Sequence, residues 1–514
     1  MKAMESYNLQ EIEEEAPFLQ LEERSDENEP INDPPGDKQF SMMYKMMKTF
    51  CVILIWFCMG LWSEINGATF QDLMSLTNSN YGALSQAISM KGVGGLCGCF
   101  LGGGYIVERL HHKIELILVV CVMISAGLNS VIPFCHYVVV YGIINAILGW
   151  ADVLLNVAGQ VIIMDIWKEK ASGPLHSVHI GYGVGGFIVP QIVKPFISKK
   201  LPVNEKTITN SDCEVVTTSP FTNFTFDVID GNDLTLSNVT INPRASSLSE
   251  TSNLKYGFFI ITAIVIVIAF IWLLFYLFKN KLDKVSNNHH KKKSKRSIGD
   301  TFNFNVCAPG DPIFAFFIYV LLFLWCYMAT SGERIIGKYL YSYARNQACF
   351  SPSKAENLLT AYWVFHTVGR TLGFLVSSLI HMKYVIFIEG VGNLISALVL
   401  FFYSDNHTAL WLFVSCFGLF TGPIYPSGVA WTNRYIILTA TGVMIPSIAS
   451  GISDISFLPT FGHFVELLGI RVMTIFLLGY GVIICVLPFI MQSVACTRGD
   501  RFMKQNFNEN FHRM

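Results

Sequence analysis

The segment GWADVLLNVAGQ (149–160) places Asp152, Asn156 and Gln160 four residues apart inside a long apolar stretch. That spacing sets one carboxylate and two amides on a single helical stripe. An acid at the centre of a membrane helix costs about 2.5–3.5 kcal/mol on insertion scales, so it faces a cavity or a partner. A carboxylate whose charge depends on its neighbours suits cation coupling, and amides beside it offer hydrogen bonds to a hydroxylated ligand. Lys91 lies deep in another apolar stretch and needs a counter-charge there, which Asp152 or Glu64 would supply. The competing reading is a lysine snorkelling along its stem to an interface. Glu64, in LWSEINGATF, precedes Asn66 and Gly67, which would permit a local helix break whose freed carbonyls could bind a cation or sugar hydroxyls. Alternatively it is an interfacial carboxylate at a ragged helix end near the outer boundary. His179 could donate to a ligand hydroxyl or titrate near neutral pH, or it could simply bond a neighbouring helix.

The elements that must carry these residues are membrane helices. The 514-residue chain is 52% hydrophobic and only 14% charged, against about 25% charged in soluble domains. Its apolar residues come in blocks of roughly twenty, the length that crosses a ~30 Å hydrocarbon core. Twelve spans are expected, at about 48–68, 81–107, 114–134, 136–165, 174–198, 255–278, 312–331, 357–380, 384–403, 409–432, 436–463 and 471–493. The organisation follows as an acidic disordered cytosolic tail (1–42), a six-helix bundle (43–278) with an extracellular loop at 200–254, and a basic cytosolic linker (279–310). A second six-helix bundle (311–493) and a cytosolic tail (494–514) complete it. The first span follows an acidic, proline-containing tail and does not resemble a cleavable signal peptide. A net charge of −1 gives no reason to expect a nucleic-acid partner.

Basic residues in short loops orient the spans. KNKLDKVSNNHHKKKSKR (279–296) carries eight Lys or Arg, and ERLHHK (108–113), WKEK (167–170) and TRGDR (497–501) fall on the same side, which is expected to be cytosolic. The sequons at Asn223, Asn238 and Asn406 all fall on the opposite side, where glycosylation is possible. Most of the thirteen cysteines sit within spans as small buried hydrophobes, while Cys213 and Cys349, both in outer loops, could pair.

The two halves echo each other. HSVHIGYGVGGFIVP (176–190) and PSIASGISDISFLP (446–459) share Ser, Gly and Phe at the same spacings, and Lys91 and Gly94 correspond to Arg370 and Gly373. Duplicated halves place a substrate site near the midplane between repeats; frequent Gly and Ser in membrane helices is the alternative source of such matches. Glu389, Asn393 and Asp454 are further intramembrane polar residues, of which Glu389 reads as structural and Asp454 is left open, and GER (332–334) reads as a gate or interfacial pair at the outer mouth. No P-loop, no HExxH and no zinc-type Cys/His spacing is present, so no enzyme is expected.

Longer motifs carry a resemblance. GYIVERLHHK (104–113) is similar to the G-x-L-x-D-R-x-G-R-K loop of the major facilitator superfamily, with Gly104, Glu108, Arg109 and Lys113 fitting and His111 and His112 departing. NGATFQDL (66–73), VHIGYGVGGFIVP (178–190), AYWVFHTVGRTLG (361–373) and GLFTGPIYPSGVAW (418–431) resemble the branch that contains the sodium-dependent glucose transporters and the bacterial fucose–proton symporter. The resemblance implies an all-α fold of twelve transmembrane helices in two pseudo-symmetric six-helix bundles. It implies conformational switching by Glu108, Arg109 and Lys113; Arg370, grouped with them, reads from its place in span eight as a structural ion pair toward the cytosolic half. Asp152 and Asn156 reproduce the branch's acid-x-x-x-Asn spacing, Glu64 matches its span-one acid, and His179 its histidine before the glycine-rich stretch. Lys91 stands where arginine is usual, a departure that matters because a buried lysine can lose its proton. Trp363, Tyr425 and Trp431 could stack on a sugar ring, or pack as ordinary membrane aromatics; Pro423 and Pro426 suggest a broken span ten.

The expected function is secondary transport of a small polar solute, a hexose such as glucose first, by alternating access. Glu64, Asp152 and Lys91 would serve cation coupling, and Asn156, Gln160, His179 and the three aromatics would line the solute site. No cofactor is expected beyond a co-transported sodium ion or proton, and the partners are the solute and the lipid bilayer, with a monomer sufficient. The expected location is the plasma membrane with both termini cytosolic. An uncoupled facilitator or channel for sugar or urea, and a non-transporting receptor or scaffold, are the alternatives.

Overall fold

A computed structural model describes residues 42–99, 113–167, 172–198, 253–282, 311–377, 380–436 and 440–500. Among the described residues there is no strand. The first half comprises α1 (Met42–Ala68), α2 (Phe70–Leu76), α3 (Tyr81–Cys97), α4 (Ile114–Val131), α5 (Val138–Trp167), α6 (Ser172–Val193) and α7 (Leu254–Leu282). The second comprises α8 (Pro312–Asn346), α9 (Pro352–Ser377), α10 (Met382–Phe402), α11 (His407–Thr421), α12 (Ile424–Tyr435), α13 (Ala440–Leu468) and α14 (Val472–Cys496).

Helical segments therefore stand at all twelve expected spans, and eight of them are long and apolar enough to cross a membrane. The other four, α3, α6, α9 and α13, are shorter in the described residues or richer in Gly, Ser, Thr, Pro and charge. These same four pair across the halves, α3 on α13 and α6 on α9. Lipid is as apolar as leucine, so packing between membrane helices gains from small residues that let backbones approach. The seam accordingly takes the small-residue helices. The apolar ones, α4, α7, α10 and α14, form the outer layer and present side chains such as Met123, Phe270, Ile395 and Phe489 outward, as a lipid-facing surface requires.

Three local departures from the sequence reading position the site. The seventh span was expected to end at 331, but α8 runs unbroken from its Asp311 cap to Asn346. The GER segment therefore lies mid-helix, with Gly332 buried and Glu333 and Arg334 half-buried, and is no outer mouth. The expected break at Asn66–Gly67 is absent: α1 stays helical through Ala68. Asn66 Oδ1 instead accepts the Tyr141 hydroxyl at 2.8 Å. The tenth span does break, between α11 and α12 at Gly422–Pro423.

Candidate functional site

Twelve side chains from seven helices meet where the two halves face each other. On the first half, Lys91 Nζ lies 2.6 Å from Asp152 Oδ2, and Trp62 Nε1 donates to Asp152 Oδ1 at 2.9 Å. The pair forms because α3 and α5 touch backbone to backbone. A Cβ added at Gly149 would sit 1.9 Å from the Lys91 carbonyl oxygen, so only glycine allows the approach. Lys91 also donates to Ser63 Oγ at 2.8 Å, which lies 3.1 Å from the Tyr182 hydroxyl; that hydroxyl donates to Glu64 Oε1 at 2.5 Å. Asp152 and Glu64 thus stand at the two ends of one polar chain.

The second half answers with α8. Lys338 Nζ donates to Glu64 Oε2 at 2.8 Å and to the Ser63 carbonyl at 2.7 Å. Arg334, one turn earlier, reaches Glu64 Oε1 at 3.5 Å and Asp454 Oδ1 at 2.8 Å, and its neighbour Glu333 at 3.6 Å. Glu333 faces α9, with Arg370 Nη2 at 3.1 Å and His366 Nε2 at 3.4 Å. The Arg370 position follows from the α11–α12 break. Pro426 lacks the N–H that would bond the Gly422 carbonyl in a continuous helix, and Arg370 Nε donates to that carbonyl at 3.1 Å instead. A second donation, to the His179 carbonyl at 3.4 Å, ties the same guanidinium to α6. Arg370 therefore sits at the meeting of the halves, further into the bundle than its expected place.

Charges so deep are costly unless paired and hydrogen-bonded. Glu64 and Lys338 expose 1% and 3% of their side chains, and each has its partner within hydrogen-bond range. Such a cluster can hold two helices in register and let go when partners are exchanged, which is what a moving interface needs.

Of the solute-site candidates, Asn156 and Gln160 are partly buried and bond each other at 2.6 Å, one and two turns from Asp152. His179 lies 6.1 Å from Trp56 and 6.5 Å from Tyr425, ring to ring. Trp363 is buried 6.2 Å from Tyr182 and 5.1 Å from His366, at the edge of the charged cluster. Trp431 is elsewhere: it packs against Tyr435 at 5.0 Å, whose hydroxyl pairs with Gln492. The structure does not bring Trp431 to the cluster: α12 packs chiefly on α8 and α10, within its own half. Glu389 accepts from Ser427 at 2.6 Å and Asn393 from Thr421 at 2.7 Å, both inside the second half.

Lys113 precedes α4 and is exposed, while Glu108, Arg109, Asn223 and Asn238 lie outside the described residues. Asn406 is exposed and caps α11, accepting from the Thr408 and Ala409 amides. Cys349 is disulfide-bonded; Cys213 lies outside the described residues.

The end of the bundle carrying α2 is closed. A Cβ on Gly67 would lie 1.8 Å from the Gly337 carbonyl oxygen, so α1 and α8 are in backbone contact there. Gln71 donates to Asn346 at 2.9 Å, Asn80 to Glu466 at 2.6 Å and Lys194 to Asn357 at 2.9 Å, all between halves. Ser85 bonds Tyr339 beside them. At this end Asp72 accepts the Ser198 amide, and its burial pushes the carboxyl up to about 6.

Sequence reading missed Lys338, Tyr182, Ser63, Trp62 and His366. For Lys338 a signal was present: Ile335, Ile336, Tyr339, Leu340 and Tyr343 continue the apolar helical period past 331, which would have carried Arg334 and Lys338 inward on one stripe.

This two-half helical arrangement recurs among solved transporters. A bacterial homologue of the human lysosomal transporter Spinster, in an inward-facing and unoccupied conformation, superposes with TM-score 0.65 over 89% of this chain and 99% of its own, at 13% identity. The E. coli fucose:proton symporter does so with TM-score 0.54 over 87% and 99%, at 13% identity. The fold is that of the major facilitator superfamily. By sequence the chain is similar to the mouse sodium-dependent glucose transporter 1A, 23% identical over 77% of this chain and 85% of that protein. It is likewise 23% identical to the human sodium-dependent glucose transporter 1, over 73% of this chain but only 65% of the longer human protein. No family model matches the chain. The chain is a multi-pass membrane protein with the fold and relatives of superfamily transporters, not of enzymes.

Proposed function

We propose that the chain carries a small polar solute across a membrane by alternating access, with a hexose as the first substrate to try. The observation that carries this reading is the charged cluster between the halves, in which Glu64 on one half is held by Arg334 and Lys338 of the other. A scaffold would gain nothing from joining its halves through costly buried charges where apolar packing would serve as well or better. A carrier must break and remake that seam in each cycle, and ion pairs offer discrete alternative partners. The closed α2 end is then one state of the cycle, and the basic loops support its facing outward, with both termini cytosolic at the plasma membrane and glycans at Asn223, Asn238 and Asn406. The hexose is supported by the names of the relatives and by the amides of Asn156 and Gln160, a residue type that hydrogen-bonds hydroxyls. Cation coupling is assigned to Asp152 with Lys91 and to Glu64.

An uncoupled facilitator is the second reading, favoured by one observation: the Asp152 and Glu64 carboxylates already hold chain cations at 2.6 and 2.8 Å. Radiolabelled glucose, fucose and a nucleoside, offered to proteoliposomes under imposed cation gradients, test both. Gradient-driven accumulation lost in Asp152→Asn, with equilibration retained, is expected for the coupled carrier. Equal equilibration in both proteins selects the facilitator, and no flux of any of them from folded protein refutes the substrate class.

A further inference from the structure

Each acid of the central cluster is matched by a cation belonging to the chain itself. Lys91 serves Asp152, Lys338 serves Glu64, Arg334 serves Asp454 and Arg370 serves Glu333, at 2.6, 2.8, 2.8 and 3.1 Å. Four fixed positive charges therefore face four fixed negative ones. Lys338 is the informative member. Its ammonium sits 2.7 Å from a backbone carbonyl oxygen, that of Ser63, and 2.8 Å from a carboxylate oxygen of Glu64. Carbonyl and carboxylate oxygens are the ligands that a hard, bare cation takes. The remaining oxygen of Glu64 is taken up by Tyr182 and Arg334. A free cation bound to the same oxygens would lie directly against the ammonium, in a place where Lys338 and Glu64 expose only 3% and 1% of their side chains and water cannot screen the repulsion.

We propose that Lys338 is a tethered cation standing where a coupling sodium ion would otherwise bind, so that sodium is not a co-substrate of this chain. The inference rests on the transporter reading and narrows it: solute movement is driven by the solute gradient or by protons, and removing the ammonium uncovers a sodium site at Glu64 and Ser63. Arginine could not play this part in the same way, because its planar fork spreads the charge that lysine presents as a compact point.

The test reads sodium binding directly. Thermal unfolding of the purified full chain is followed by tryptophan fluorescence in sodium, potassium and N-methyl-D-glucamine chloride at equal ionic strength. The wild-type midpoint is expected to be the same in all three salts. Lys338→Met, which keeps the stem and removes the charge, is expected to show an upward shift with sodium alone, saturating with concentration and lost again when Glu64→Gln is added. Lys338→Gln, neutral and shorter than lysine, replaces Lys338→Met if the latter does not fold. A sodium-selective shift in the wild type overturns the proposal without either variant, and so does a folded lysine variant indifferent to sodium. Hexose uptake is run in parallel: absence of flux would sink the transporter reading while leaving the sodium-binding result to stand on its own.

Discussion

Gly67→Ala is the sharpest probe of the closed α2 end. The added Cβ would fall 1.8 Å from the Gly337 carbonyl oxygen, 2.9 Å from its carbonyl carbon and 3.2 Å from Lys338 Cα. All three are backbone atoms of α8, so no side chain can swing away. To reach the 3.0 Å below which real contacts essentially never fall, α1 and α8 must part by at least 1.2 Å at this level. Overpacking of this kind costs about 1–3 kcal/mol, which lowers the population of the closed arrangement roughly 5- to 150-fold relative to one in which the helices are apart. The substitution leaves the interior of each half untouched, so folding should survive. The assay is the distance between spin labels at exposed Ser75 and Lys354, one on each half at this end, measured after replacement of reactive cysteines. The expected result is a shift to longer distances in Gly67→Ala, with solute exchange slowed. An unchanged distance distribution together with wild-type uptake would refute the argument that this contact closes the carrier.

Asp152→Asn leaves the Lys91 ammonium without its counter-charge, and removing one member of a buried pair costs about 3–5 kcal/mol. The double variant Asp152→Asn with Lys91→Met should recover most of that loss in a thermal unfolding scan while remaining defective in gradient-driven uptake. Asp72 gives a pH signature at the α2 end. Its carboxyl stands at about 6, above the ordinary 3.8, so the folded state binds the proton more tightly than the unfolded one. Stability from this group is full below pH 4 and falls as pH rises through 6, by up to about 3 kcal/mol. Unfolding midpoints should therefore show Asp72→Asn equal to wild type near pH 4 and more stable near pH 7, with a flat comparison counting against the burial argument. Pro426→Ala restores an N–H that can bond the Gly422 carbonyl, in competition with Arg370 Nε at 3.1 Å. Uptake should fall with little change in unfolding midpoint, and unaltered uptake would show that the break in this span is dispensable.

The polar stripe of α5 illustrates what could be read without a structure. Asp152 cannot be left alone in an apolar helix, and Lys91 cannot either, so their pairing was legible as a choice between two partners. The structure decided for Asp152 because Gly149 lets α3 approach α5. Glu64 was legible as a residue of interest and misread in setting. Local signals near a helix end, Asn and Gly, point to a break, whereas tertiary packing used Gly67 for contact with α8 and kept the helix intact. Lys338 was not singled out at all, because the charges of GER look like the end of a span until the apolar period beyond them is counted.

Composition and the length of apolar runs determined, from the sequence alone, that this is a polytopic helical membrane protein. Hydrogen bonding in lipid leaves a chain of this kind few alternatives: backbone polar groups must be satisfied within each helix, so apolar runs of the right length become helices. The proline pair at the break in the tenth span was visible for the same local reason. Only the tertiary structure decided which charges neutralise which. Lys338 and Glu64 are separated by more than half the chain, and Arg334 serves acids from both halves. The energy of a buried ion pair depends on ångström-scale distances between helices that contain no record of one another in their own sequences.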